Sequence, residues 1–135
     1  MYLYDGSSST AKIFAIGYTG KITCVSLTQT SSRKVKENIK PLTAEEAYKI
    51  LELVAVTFDF IEKAQGEDKR GFIAEDVAEI IPELVTPETE KTNAALDYIQ
   101  MIPYLQTVIK DQEQRIKELE SKLEDLTRKF DSMSS

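Results

Sequence analysis

The strongest constraint on this fold is a heptad repeat near its C-terminus. With Ile102, Ile109, Ile116, Leu123 and Phe130 at position a, position d holds Leu105, Gln112, Leu119, Leu126 and Met133, so nine of the ten seam positions are apolar. A repeat sustained over more than four heptads calls for one long helix whose seam is covered by another helix. Isoleucine at a with leucine at d favours two strands, whereas polar Gln112 at d and bulky Phe130 at a weaken that preference, so the heptads alone leave the oligomer state open. Arg115 at g stands opposite Glu120 at e of a parallel, in-register neighbour, which favours a parallel bundle. The competing arrangement is a helix lying on its own head domain.

Upstream of this helix the texture changes twice. Residues 1–30 contain Tyr2-Leu3-Tyr4, the turn-forming run Gly6 to Thr10, and two β-branched stretches, Ala11 to Gly17 and Lys21 to Thr28. Short strands with Gly17 and Gly20 punctuating a hairpin are expected there. So few strands bury little area alone, so this segment is expected to be the end of a larger β-rich structure upstream. From Lys36 the pattern becomes helical. Thr43 with Glu46 three residues later reads as a capping box, with Ala47, Ile50, Leu51 and Val54 on one face of a helix over 44–53. A strand is expected over 54–60, a hairpin loop over 62–70 around Gly66, a returning strand over 70–74 and a short helix over 76–81 stopped by Pro82. A polar loop then runs through Pro87 to Asn93. The expected fold is thus α+β: a short N-terminal β segment (1–30), a small α+β head (31–103) and a long C-terminal helix (104–135).

The chain has 135 residues, room for one modest core plus an extension. Its net charge of -6 argues against a nucleic-acid face, because polyphosphate needs a basic surface. No apolar run approaches the roughly 20 residues of a membrane span, so neither nucleic acid nor a membrane is an expected partner. There is no histidine, and Cys24 is the single cysteine, which excludes a zinc finger, an internal disulfide and a histidine-based triad. No metal or cofactor is expected, and Cys24 reads as a buried structural residue.

One nucleophilic arrangement survives without histidine. In Ser31-Ser32-Arg33-Lys34-Val35-Lys36-Glu37-Asn38-Ile39, a serine hydroxyl precedes a lysine by five residues. A hydroxyl is a weak nucleophile until a base takes its proton, and a lysine, titrating near 10.4 when solvated, serves only where burial or nearby cations such as Arg33 and Lys34 hold it neutral. On spacing alone, a solvated basic loop after a strand is much the stronger reading, since a serine five residues before a lysine arises widely by chance.

Three motifs add to that spacing: the run Ser31 to Ile39; Gly71-Phe72-Ile73-Ala74-Glu75-Asp76-Val77 with Pro82-Glu83-Leu84-Val85; and Leu96-Asp97-Tyr98 ahead of a helix. In this order they resemble the C-terminal intramolecular chaperone domain of bacteriophage tailspikes, endosialidases and neck-appendage fibres, over residues 31 to about 130. The resemblance implies a domain that trimerises, guides folding of the β-rich fibre upstream and then releases itself by a single-turnover autoproteolytic cut. It puts the nucleophile at Ser31, the base at Lys36 and the scissile bond between Thr30 and Ser31. It also implies assembly in the host cytoplasm, with the fibre ending in the virion tail and this domain released.

Where the family often has aspartate after the nucleophile, this chain has Ser32, which removes any orienting carboxylate and leaves a register one residue later as the competitor. Spacing to Lys36 favours Ser31. Glu37 and Asn38 either orient Lys36 and polarise the scissile carbonyl, or cap the helix that follows. In the second motif, Phe72, Ile73 and Val77 read as core residues, and Glu75 and Asp76 as acids at a helix N-terminus. Ile109, Gln112, Ile116, Leu119, Leu123 and Leu126 form the expected trimer core. The alternative function is a trimerisation module that stays attached to its fibre without cutting. A membrane-bound transcription regulator sharing such a domain is disfavoured, since neither a span nor a DNA-binding region is present.

Overall fold

The structure, a computed structural model, describes Ile22 and residues 25–134. The strands expected over 2–17 and the placement of Cys24 fall outside these residues. Of the stretch 21–28, Ile22 and Val25 to Thr28 are described; they are exposed and carry no strand. The fold is α+β, with two small antiparallel sheets and one long C-terminal helix. The described residues divide into two compact units, those up to 39 with 56–71, and those over 40–55 with 72–134.

In the first unit, β1 (Val56–Phe58) pairs antiparallel with β2 (Lys69–Gly71) in the register Val56 to Gly71 and Phe58 to Lys69. The strand expected over 54–60 shortens to 56–58, and the returning strand expected over 70–74 moves back to 69–71, because Ala74 already opens the next helix. The ladder stops where Asp59 turns its carboxylate to the Asp68 backbone N–H at 2.7 Å, closing the loop with a side chain. Gly66 has φ 130°, a conformation that glycine adopts without steric cost, and its carbonyl accepts from the Phe60 N–H at 3.0 Å. Phe58 and Phe60 meet edge to face with ring centroids 5.2 Å apart.

The second unit holds the core: Ala47, Ile50, Val77, Ile81, Leu84, Met101 and Val108. Helix α1 (Ala44–Tyr48) starts at the expected capping box: the Thr43 hydroxyl accepts from the Glu46 N–H at 3.2 Å while the Glu46 carboxylate accepts from the Thr43 N–H at 3.2 Å. The expected helix over 44–53 then tightens into a 3-10 turn over Lys49–Glu52. That change moves the buried face. At three residues per turn, positions three apart stack, so Ala47, Ile50 and Leu53 face inward, while Leu51 and Val54, expected on the same face, are 57% and 73% exposed.

Helix α2 (Ala74–Ile80) begins two residues earlier than the sequence suggested, with Glu75 and Asp76 in its first turn where the dipole favours acids. Its inward row continues through the Pro82–Leu84 turn, so Val77, Ile81 and Leu84 are each 1% exposed. Phe72 is half-buried against the core as expected, whereas Ile73 is 40% exposed. A hairpin that composition did not signal follows: β3 (Val85–Thr86) pairs with β4 (Ala95–Leu96), with the polar run between them as its loop.

Helix α3 (Met101–Met133) has 33 residues, about 50 Å of helix. Two stripes run along it. Met101 and Val108 are buried and Tyr104 half-buried against the core, so the helix does lie on its head domain at its N-terminal end. The nine apolar a and d residues occupy another face and are 47% to 84% exposed. The two arrangements that competed at the sequence level therefore concern different faces of one helix.

Candidate functional site

Residues 30–40 are exposed, and one local feature shapes them. Residues Arg33–Val35 form a 3-10 turn that the sequence did not announce, with Ser32 as its N-cap: the Ser32 hydroxyl accepts from the Lys34 N–H at 3.2 Å, and its carbonyl from the Val35 N–H at 3.1 Å. The turn reverses the chain between Ser31 and Lys36. Lys36 is extended at φ -124°, and its Nζ donates to Ser31 Oγ at 2.7 Å. The separation puts the two heavy atoms in hydrogen-bond reach, with the ammonium donating; a neutral amine at the same place would accept the hydroxyl proton instead.

The two serines have different occupations. Ser31 Oγ faces Lys36 Nζ, while Ser32 Oγ is held by the Lys34 backbone. Glu37 and Asn38 do not cap the following helix, because Thr43 is that cap and α1 begins at Ala44. Asn38 instead takes a left-handed conformation, φ 54°, which asparagine tolerates better than most residues. It redirects the chain directly after the Ser31–Lys36 turn.

The other quoted motifs serve the head. Tyr98 receives the Phe72 N–H on its hydroxyl at 2.9 Å, and the two rings lie 6.2 Å apart. Asp97 organises the entry to α3: its carboxylate accepts from the Ile99 and Gln100 N–H groups at 3.1 and 3.2 Å and from the Gln100 side chain at 2.8 Å. These bonds, the Gln100 side chain first, hold the Asp97 carboxyl below its ordinary range. Leu96-Asp97-Tyr98 is thereby a joint between hairpin and helix.

The expected trimer-core residues Ile109, Gln112, Ile116, Leu119, Leu123 and Leu126 are all exposed. Sequence reasoning missed the residues that orient this seam. Tyr48 on α1 reaches Asp111 on α3, and Arg115 Nη1 donates to the same Tyr48 hydroxyl at 3.4 Å, so the arginine expected to meet Glu120 of a neighbour has a partner within its own chain. The recurrence of Met101, Tyr104, Val108 and Asp111 at helical spacing was the signal that could have found this second face.

No curated protein matches the chain significantly. The family model described as chaperone of endosialidase, Peptidase S74, matches residues 31–86, beginning at the serine that faces Lys36 and ending at the last residue of β3. Over residues 31–86 this chain is thus similar to the chaperone-of-endosialidase family.

Proposed function

We propose that the chain is the self-releasing C-terminal chaperone of a bacteriophage tail fibre or spike. It assembles as a parallel homotrimer, assists folding of the β-rich fibre ending in residues 1–30, and cuts itself from that fibre between Thr30 and Ser31. The head over 31–103 carries the chemistry and residues 104–135 carry the coil. The 2.7 Å approach of Lys36 Nζ to Ser31 Oγ is the observation that carries the reading. The exposed apolar seam of α3 supports assembly, since a continuous apolar stripe on a long helix is stable when a second helix covers it. Three strands rather than two follows from the family.

The reaction is an intramolecular acyl transfer. Ser31 Oγ attacks the Thr30 carbonyl carbon while its proton passes to the Lys36 amine. Collapse of the tetrahedral intermediate breaks the Thr30–Ser31 amide, and the Lys36 ammonium returns the proton to the departing Ser31 nitrogen. Water then hydrolyses the Thr30 ester, leaving a Thr30 carboxylate and a free Ser31 amine and hydroxyl. Attack by Ser31 of a neighbouring protomer balances identically. Each molecule cuts once. The reading takes no cofactor, metal, nucleic acid or membrane, and sets the event in the host cytoplasm during virion assembly, after which the fibre joins the virion tail.

Intact-mass measurement of the full chain tests it. A C-terminal product beginning at Ser31 is expected, and a chain that assembles but stays whole supports the attached, non-cutting trimerisation module instead.

A further inference from the structure

Between the Lys49–Glu52 turn and α2 lies a groove of about 160 Å³ whose floor is Leu53, Phe72, Val77 and Ile80. Its rim is acidic: Glu52, Asp76 and Glu79 surround that floor, each exposed. None of the three makes an ion pair among the described residues. Val54 and Ile73, which also line the groove, are 73% and 40% exposed.

The same chain carries the complementary surface. Over residues 33–40, Arg33, Lys34, Lys36 and Lys40 oppose a single Glu37, and Val35 and Ile39 are 65% and 53% exposed. These four cations make no ion pair among the described residues either. An apolar floor with three free carboxylates and a basic segment with two free apolar side chains match in charge and in hydrophobic content.

We infer that residues 33–40 of a second copy of this chain dock into the groove rimmed by Glu52, Asp76 and Glu79. Two different surfaces that fit each other make a head-to-tail contact, which closes into a ring when copies are related by a rotation axis. A parallel heptad seam provides such an axis, so the inference rests on the assembly proposed above. Individual exposed ion pairs are weak, so the segment seats only when the coil raises the local concentration of the partner groove. Docking there removes Lys36 from water beside an apolar wall, and so makes the base dependent on assembly.

Disulfide trapping in the full chain tests this. In a Cys24→Ser background, Lys34→Cys combined with Glu79→Cys should give covalent dimers and trimers on a non-reducing gel, lost in each single variant. Both positions are exposed, so neither substitution disturbs the core. High salt should slow trapping, since the attraction is between screened charges. If the double variant sediments as a trimer yet yields only an internal disulfide or none, the docking is overturned while the proposed function stands. A chain that sediments as a monomer overturns both.

Discussion

The Tyr48 hydroxyl donates to Asp111 Oδ2 at 2.7 Å, joining α1 to α3 across 63 positions of sequence. The bond lies on the same helical face as Met101 and Val108, and so fixes the rotation of α3 about its own axis. With that rotation set, the heptad seam points away from the core. The long helix is thus held to α1 and the core by this bond together with the packed face of Met101, Tyr104 and Val108, and not by the seam.

Tyr48→Phe should therefore lower stability by about 0.5–1.5 kcal/mol, the usual worth of one hydrogen bond. A thermal unfolding midpoint lowered by several degrees is expected. An unchanged midpoint would mean that apolar packing alone positions the helix.

Leu119→Asp should dissociate the assembly, because a charge from each protomer would share one buried layer without a partner. In an uncut Ser31→Ala background, sedimentation equilibrium should move from three times 15.3 kDa to 15.3 kDa. The head should keep its fold, since Leu119 is 62% exposed on the single chain. Persistence of the trimer would remove the seam as its basis.

Ser31→Ala should leave the chain whole, and Ser32→Ala should slow cutting without abolishing it. The second effect follows from the cap, because losing the Ser32 to Lys34 bond frays the turn that holds Lys36. Intact mass over time separates the two. If Ser32→Ala alone blocks cutting, the nucleophile is one residue later.

Lys36→Arg should abolish cutting, because a guanidinium stays protonated and cannot accept the hydroxyl proton. The Leu119→Asp precursor should stay uncut; cutting as fast as wild type would break the link between assembly and chemistry.

Acid should weaken the head through two carboxylates. Glu46 is held below its ordinary range by the Thr43 hydroxyl first and the Thr43 backbone second, and Asp97 is lowered mainly by Gln100. A depressed folded value contributes stability that is present above the unfolded value and lost as pH falls through the folded one. Asp97→Asn and Glu46→Gln should therefore be less stable than wild type at neutral pH, with the gap closing on acidification. Denaturant midpoints at neutral and acidic pH measure this, and a gap that widens in acid reverses the sign.

Leu84→Ala should cost roughly 2–5 kcal/mol, as a cavity opens beside Val77 and Ile81 in a small core. Loss of cooperative unfolding in the head, measured by denaturant titration, is expected. A cost under about 1 kcal/mol would mean that the core collapses around the gap.

The sequence by itself determined the local features: the long helix, its apolar seam, the Thr43 and Glu46 cap, the acidic start of α2 and the candidate Ser31 and Lys36. Each depends on residues within a few positions of one another, where periodicity and hydrogen-bonding inventory suffice. Only the tertiary structure decided what long-range contacts set. The β3–β4 hairpin is two residues long on each side, too short for alternation to register, and is held by the Asp97 N–H on the Leu84 carbonyl at 2.9 Å. The shift from α-helix to 3-10 after Tyr48 moved the buried face from Leu51 to Leu53, because packing against the core outweighs a helical pattern of only three turns. The second face of α3 was hidden by the stronger heptad signal, although it is the one that the fold uses. The 3-10 turn that brings Lys36 onto Ser31 depends on one side chain, Ser32, choosing a backbone partner, a choice that composition does not encode.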